Sequence, residues 1–424
     1  MQISTKKERF GWYMYDWANS AFSTSVITVF LGPYLTEIAK VAASPAGNVS
    51  VFGLQIYHGS FFAYIVSLSV VLQVILLPVM GAIADSTRAK KRLLGIFAYI
   101  GAFATMGLYF LEGTNYMLGG GLFIIANLSF GVSAVIYNSY LNDIAEPERR
   151  DSVSSIGWAV GYLGGGIVLG LNLILFMNSE KFGIDGETAV RISLASAGLW
   201  WGLFTLFPMF LLRRDKIVHQ GKLATQVKKS VRTLIETLKD SRNHPQTLIL
   251  LVAYLFYNDG VQAVIVLSAQ FGNQELNITM ESLTALILLI QFVAFGGSLL
   301  FNLLAKKFGA RDSIIFALFL WVGVILYAFF ILQTETEFFA MGIVIGIIMG
   351  GTQSLSRSLY ASVIPAGKDA EYFSLYEVSE KGTSWLGPLL FALSLQMTHS
   401  YRIAILSLVV FFLIGLILLF RFKR

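Results

Sequence analysis

Twelve mostly apolar stretches, each of roughly twenty residues or more, dominate this chain: about 12–35, 58–83, 93–111, 117–142, 153–177, 190–212, 246–270, 282–304, 313–332, 338–363, 372–397 and 401–420. A stretch of that length and character is what crossing a bilayer core requires as an α-helix. Composition agrees. Of 424 residues, 56% are hydrophobic and 13% charged, with a mean hydropathy of +0.69, whereas a soluble domain carries about 25% charged residues. The expected class is an all-α, multi-pass membrane protein. The basic start (Lys6, Lys7, Arg9) leads into an apolar run that begins Tyr15-Asp16-Trp17 and shows no small-residue cleavage site, so it reads as a retained first span. Cys is absent, which excludes disulfides, thiol catalysis and Cys-ligated metals.

The net charge of +6 could suggest nucleic acid, but its placement argues otherwise. Of the 31 Lys and Arg residues, 25 fall in loops on one side of the spans and 4 on the other, while Arg357 and Lys381 lie inside spans. That asymmetry is the positive-inside signal. It puts both termini in the cytoplasm, predicts a bacterial inner-membrane location, and removes nucleic acid as a partner. Lipid is the expected surroundings.

Residues 213–245 form the one long connection, so the chain is expected to divide into a six-helix bundle over 1–212, a linker, and a second six-helix bundle over 246–424. Within the linker, Leu223, Val227, Val231, Leu234 and Leu238 share one helical face and basic residues lie largely on the others. Such a helix lies on a membrane surface; a tether between halves is the simpler reading, a lipid sensor the alternative. The halves echo one another, as transporter repeats do. The first span has Asp16-x-x-Asn19 and the seventh Asp259-x-x-Gln262, each placing a carboxylate and an amide three residues apart. The fourth and tenth spans end in related polar sequences, and a glycine-rich stretch follows each.

Ionisable groups within spans are costly and face a protein interior or a watery cavity. They concentrate in the stretch Gly350–Pro388, which carries Gln353, Arg357, Glu377, Glu380 and Lys381. Arg357 has no acid four residues away and must find a carboxylate, carbonyls or cargo. Glu377 and Lys381 can form an ion pair one turn apart, so a structural bridge competes with a role in binding. Asp16 and Asp259 have no basic neighbour in sequence. Each is either a proton carrier or a polar tie to another helix. Asp259 lies about 13 residues into its span, roughly 20 Å deep, which makes it the better proton-coupling group, with Asp16 second. The substrate-binding candidates are Arg357, Asp16, Asn19, Asp259, Gln262, Gln353, Glu377, Glu380 and Lys381. The four His lie at span ends or in loops without metal spacing. No nucleophile–base order or carboxylate cluster supports an enzyme, so neither a metal nor a cofactor is implied.

The loop after the second span, Gly81-Ala-Ile-Ala-Asp85-Ser-Thr-Arg88-Ala-Lys90-Lys91, resembles the loop signature of the major facilitator superfamily, in which an acid follows a glycine by four residues and precedes basic residues. Ser86 stands where an Arg is usual. The resemblance implies a cytoplasmic latch at Asp85, with Arg88, Lys90 and Lys91 as accompanying gating residues. The alternative is a simple stop-transfer charge cluster. In the fifth span, Gly157, Gly161 and Gly165 recur every four residues, a close-packing seam between membrane helices. A phosphate loop is excluded by the lack of a preceding strand and a following Gly-Lys-Ser/Thr.

Met14-Tyr-Asp-Trp-Ala-Asn-Ser-Ala-Phe22, Tyr257-Asn-Asp-Gly260, Gly350-Gly-Thr-Gln-Ser-Leu-Ser-Arg-Ser-Leu359 and Lys381-Gly-Thr-Ser-Trp-Leu-Gly-Pro388 together resemble the unknown-major-facilitator family, whose fungal relatives are vacuolar autophagy-related effluxers. The resemblance implies twelve helices in two pseudo-symmetric halves, alternating access, a cavity lined by spans 1, 4, 7 and 10, and export of amino acids. The proton-linked Arg that drug exporters carry in the fourth span has no counterpart here. The expected function is secondary transport, in export or exchange, of small zwitterions such as amino acids by a monomer, with proton coupling through a carboxylate. The alternatives are a lipid, peptide or drug exporter, and a non-transporting membrane scaffold.

Overall fold

The structure is a computed structural model. It describes residues 6–86, 90–140, 144–145, 150–213, 232, 236, 239–361, 363, 376 and 384–422. The amphipathic linker lies almost wholly outside these residues. Eleven of the helices are long and apolar enough to span a membrane. They are α1 (Lys6–Val41), α2 (Phe61–Ser86), α3 (Lys90–Gly107), α4 (Tyr116–Ser139), α5 (Arg150–Met177), α6 (Gly186–Leu211), α7 (Pro245–Leu276), α8 (Met280–Phe308), α9 (Ala310–Phe330), α10 (Glu335–Ala361) and α12 (Tyr401–Arg421). The twelfth, α11 (Leu386–Thr398), is the described part of the expected span 372–397. Contacts divide the chain into two compact units, residues 1–43 with 68–230 and residues 44–67 with 231–424.

The first helix is longer than the apolar run suggested, and it changes type midway. From Phe22 to Phe30 (FSTSVITVF) it is π-helical. This stretch is rich in β-branched residues, whose side chains crowd the preceding turn of an α-helix. Its hydroxyls bond back along the chain: Thr24 Oγ1 donates to the Ser20 carbonyl at 2.8 Å, and Thr28 Oγ1 reaches five residues back to Ser23 at 2.9 Å. The helix extends to Val41 because its polar residues are satisfied in place. Tyr34 donates to the Leu111 carbonyl at 2.7 Å, and Thr36 to that of Gly32 at 2.7 Å.

The glycine seam of α5 packs on α1. A Cβ on Gly157 would lie 2.7 Å from the Trp12 ring, one on Gly164 2.6 Å from the Trp17 carbonyl oxygen, and one on Gly165 2.8 Å from Thr24. Backbones that approach this closely gain van der Waals contact that lipid cannot supply. In the second unit α8 and α10 meet the same way, where Gly297 abuts the Ile347 backbone and Gly350 that of Ala294.

Cations close helix ends at matching places in the two units. At the start of α3, Lys91 donates to the carbonyl of Leu212, just past α6, at 2.5 Å. At the start of α9, Arg311 donates to the carbonyls of Leu419 and Phe420 in α12 at 3.0 and 3.2 Å. At the opposite ends, Arg191 of α6 pairs with Glu112 beyond α3. Arg402 of α12 pairs with Glu275 at 2.6 Å and donates to the carbonyls of Ala328, Phe329 and Leu332 at the end of α9. The last carbonyls of a helix lack partners within it and carry its negative end, so cations suit them.

Two connections are short and locally encoded. His399, in the left-handed region at φ 55°, ends α11, and the Ser400 hydroxyl caps α12 by accepting from the Ile403 N–H. The α1–α2 connection holds a hairpin of β1 (Asn48–Val51) and β2 (Leu54–Tyr57), with Asn48 opposite Tyr57 and Val51 opposite Leu54. Phe52 and Gly53 form its turn with φ 50° and 87°, the positive pair that a two-residue hairpin loop requires. The hairpin belongs to the second unit, where the Tyr57 N–H donates to Gln396 at 2.6 Å.

Candidate functional site

Each unit presents one carboxylate of interest on its first long helix. In the first unit Asp16 is partly exposed on α1 and makes no ion pair or hydrogen bond in good geometry with a described residue. It sits among aromatic side chains. Tyr137 of α4 directs its hydroxyl at the Asp16 carboxylate, and that hydroxyl is buried and short of hydrogen-bond geometry with any described residue. The Tyr137 ring is held firmly. It stacks on Trp12 with centroids 4.3 Å apart and planes 13° apart, and Trp12 Nε1 donates to the Tyr137 carbonyl at 3.0 Å. Gly161 of α5 runs alongside, its absent Cβ falling 3.4 Å from that of Asp16. Asn19, one turn on, is buried beside Tyr15, so Asp16 and Asn19 share a face but differ in access.

In the second unit Asp259 is fully buried on α7, and neither carboxylate oxygen has a hydrogen-bond partner among the described residues. Gly387, in the first turn of α11, lies against it. A Cβ at Gly387 would be 3.3 Å from Asp259 Oδ1 and 2.6 Å from the Ala263 Cβ. The first turn of a helix presents backbone N–H groups and the positive end of its dipole, a setting that favours a carboxylate. Gln262 is half-buried on the same helix.

The polar stretch of α10 separates into two faces. Thr352 and Ser356 point inward and tie three helices together. Tyr257 of α7 and Ser356 share a hydrogen bond at 2.6 Å, Ser356 donates to the Thr352 carbonyl at 2.5 Å, and Trp321 Nε1 of α9 donates to Thr352 Oγ1 at 3.3 Å. The other face carries Gln353, half-buried, and Arg357, exposed. These two are one helical turn apart and therefore neighbours. Arg357 forms no ion pair with a described acid. An exposed guanidinium on a spanning helix is tolerated where water or protein, not lipid, surrounds it.

The remaining expected residues are placed as follows. Lys90 lies over the Tyr140 ring, 5.9 Å from its centroid, and Lys91 closes α6 as described above. Asp85 is on the last turn of α2, with its side chain outside the description. Arg88, Glu377, Glu380 and Lys381 lie outside the described residues. Among the described residues no group of three His, Asp or Glu is placed to hold a metal ion. Tyr137 and Tyr15 were not singled out by the sequence. Tyr137 is one of 18 Tyr, and only its stacking on Trp12 and its aim at Asp16 distinguish it.

Comparison with known proteins agrees with this architecture. A family model described as "Vacuole effluxer Atg22 like" matches residues 4–424. The MFS-type transporter YxiO of Bacillus subtilis is 31% identical over 426 residues, covering 99% of this chain and 95% of that protein. Autophagy-related protein 22 of Kluyveromyces lactis is 27% identical, covering 96% and 91%. Among solved structures, a D-xylose-proton symporter superposes with a TM-score of 0.69 at 11% identity, covering 99% of this chain and 96% of that one. A bacterial homologue of the human lysosomal transporter Spinster, inward-facing and unoccupied, gives 0.68 at 15% identity, covering 99% and 97%. At such identities the structural likeness speaks for the fold, and it is the twelve-helix major facilitator fold. The match along nearly the whole sequence, together with the carboxylate-bearing α1 and α7 and the polar face of α10, makes the chain a member of the Atg22-like effluxer family of major facilitator transporters.

Proposed function

We propose that this transporter moves small zwitterions such as amino acids by alternating access, in export or exchange, with a proton as the coupling ion. Arg357 carries the reading. It is an exposed guanidinium on a membrane helix, without an ion pair to a described acid, and it has the amide of Gln353 one turn away. A guanidinium offers a planar fork matched to a carboxylate. Asp16 and Asp259 supply the opposite sign, one for the cargo's ammonium group and one for the coupling proton. A buried carboxyl such as Asp259, without a hydrogen-bond partner among the described residues, suits proton uptake and release, because an unpaired charge there is costly. The reading includes cytoplasmic termini and a bacterial inner-membrane location, supported by the excess of basic residues on one set of loops.

The test is counterflow into proteoliposomes with a panel of amino acids, lysolipids and dyes. Saturable exchange of amino acids supports the reading. Flux of lysolipid or dye alone would transfer the chain to the lipid or drug exporters, and no flux of any probe would favour a scaffold.

A further inference from the structure

The two carboxylates differ in what can reach them. Asp259 is fully buried against Gly387. Asp16 is partly exposed. Besides Tyr137, the tyrosine hydroxyls of Tyr162 and Tyr15 are near enough to feel its charge.

The Tyr137 hydroxyl adds selectivity. It is buried and directed at Asp16, and among the described residues it makes no hydrogen bond in good geometry. A buried polar group in that condition calls for an explanation. Its position is fixed by the Trp12 stack and by the bond from Trp12 Nε1 to the Tyr137 carbonyl. Room for both is kept by Gly157, where a Cβ would fall 2.7 Å from the Trp12 ring and 3.2 Å from Tyr137 Oη. A preorganised group of this kind adds affinity because little freedom is lost on binding.

We propose that Asp16 and Tyr137 together form a recognition site for a primary ammonium group, the carboxylate taking the charge and the Tyr137 oxygen accepting one N–H. This rests on the zwitterion reading for its biological cargo, and it leaves Asp259 to the proton. A primary ammonium has N–H groups for both acceptors. A quaternary ammonium can meet the charge but cannot donate to Tyr137.

The experiment is calorimetric titration of the full-length protein in nanodiscs with four probes: 3-methylbutylamine, L-leucine, tetramethylammonium and 4-methylpentanoate. Tyr137→Phe keeps the ring and its stack and removes only the hydroxyl. It should weaken 3-methylbutylamine and L-leucine about tenfold or more, as for a hydrogen bond to a charged group, and leave tetramethylammonium and 4-methylpentanoate unchanged. Asp16→Asn should remove binding of both amines and of tetramethylammonium. Where that variant fails to fold, the contrast between amine and quaternary ammonium in Tyr137→Phe decides alone. Wild-type affinity for 3-methylbutylamine in Tyr137→Phe, or no amine binding by the wild type, overturns the proposal. Amine binding that depends on Tyr137 without leucine counterflow keeps the site and rejects the zwitterion reading. Leucine counterflow indifferent to Tyr137→Phe does the reverse.

Discussion

Gly387 stands against Asp259 in the second unit as Gly161 stands against Asp16 in the first, so in each unit a small residue on one helix lets the carboxylate-bearing helix come close. The echo between Asp16-x-x-Asn19 and Asp259-x-x-Gln262 therefore extends to the partner helices α5 and α11. The two contacts are not equally tight. An added Cβ would lie 3.4 Å from its nearest neighbour at Gly161, an ordinary contact, but 2.6 Å from Ala263 at Gly387.

That difference predicts opposite outcomes for one substitution. Gly161→Ala should be tolerated, with melting temperature and transport close to wild type. Gly387→Ala should force α7 and α11 apart, lower stability by about 1–3 kcal/mol, and impair transport by disturbing Asp259. Thermal unfolding in detergent and proteoliposome flux read both. Equal behaviour of the two variants would show that the spacing at Asp259 does not matter.

Asp259→Asn should abolish accumulation driven by a pH gradient and spare counterflow exchange. The amide keeps the shape of the side chain but cannot load and release a proton, and exchange at equilibrium needs no net proton movement. Gradient-driven accumulation that survives in the variant would remove Asp259 from the coupling role.

The membrane spans and the glycine seam of α5 were legible because each rests on local chemistry. Long apolar runs and glycines every fourth residue act without reference to distant residues. The hairpin was not legible. Its strands have four residues each, too few for alternation to register, although Phe52-Gly53 puts glycine at the second turn position, where positive φ is wanted. The π-helical stretch was hidden because its composition suits an ordinary apolar span. At the site, Asp16 and Asp259 stood out as charges where lipid forbids them, and Arg357 for the same reason. Tyr137 did not, because a tyrosine at a span end is ordinary and its role depends on a ring 125 residues away. Likewise Thr352 and Ser356 are inseparable in sequence from Gln353 and Arg357, and only the packing of α7 and α9 divides structural ties from the open face.

Arg402 is a stability residue, and its geometry says how. Its fork reaches Glu275 and three carbonyls at the end of α9 from a largely buried position. Arg402→Lys keeps one charge and loses the fork. It should lower stability by about 1.5–3 kcal/mol, the range for hydrogen bonds to a charged group, while leaving cargo affinity unchanged in the folded fraction. A melting temperature equal to wild type would show that water replaces these bonds at no cost.

Arg357 gives the most direct test of the cargo. Two roles compete for its guanidinium: a structural bond to an acid of its own chain, for which Glu377 and Glu380 are the sequence neighbours, and a clamp on the cargo's carboxylate. Arg357→Lys separates them because it preserves charge and removes the planar pair of donors. If the residue clamps cargo, the variant should unfold at the wild-type temperature and bind carboxylate-bearing substrates about tenfold or more weakly, the equivalent of about 1.5–3 kcal/mol, with no loss for 3-methylbutylamine. If it is structural, Arg357→Ala should lower the melting temperature, and adding Glu377→Gln or Glu380→Gln should restore part of it by neutralising the acid left behind. Calorimetry with L-leucine against 3-methylbutylamine, alongside thermal unfolding, distinguishes the two. A stable Arg357→Ala protein with unchanged leucine affinity would reject both roles, and with them the observation on which the zwitterion reading stands.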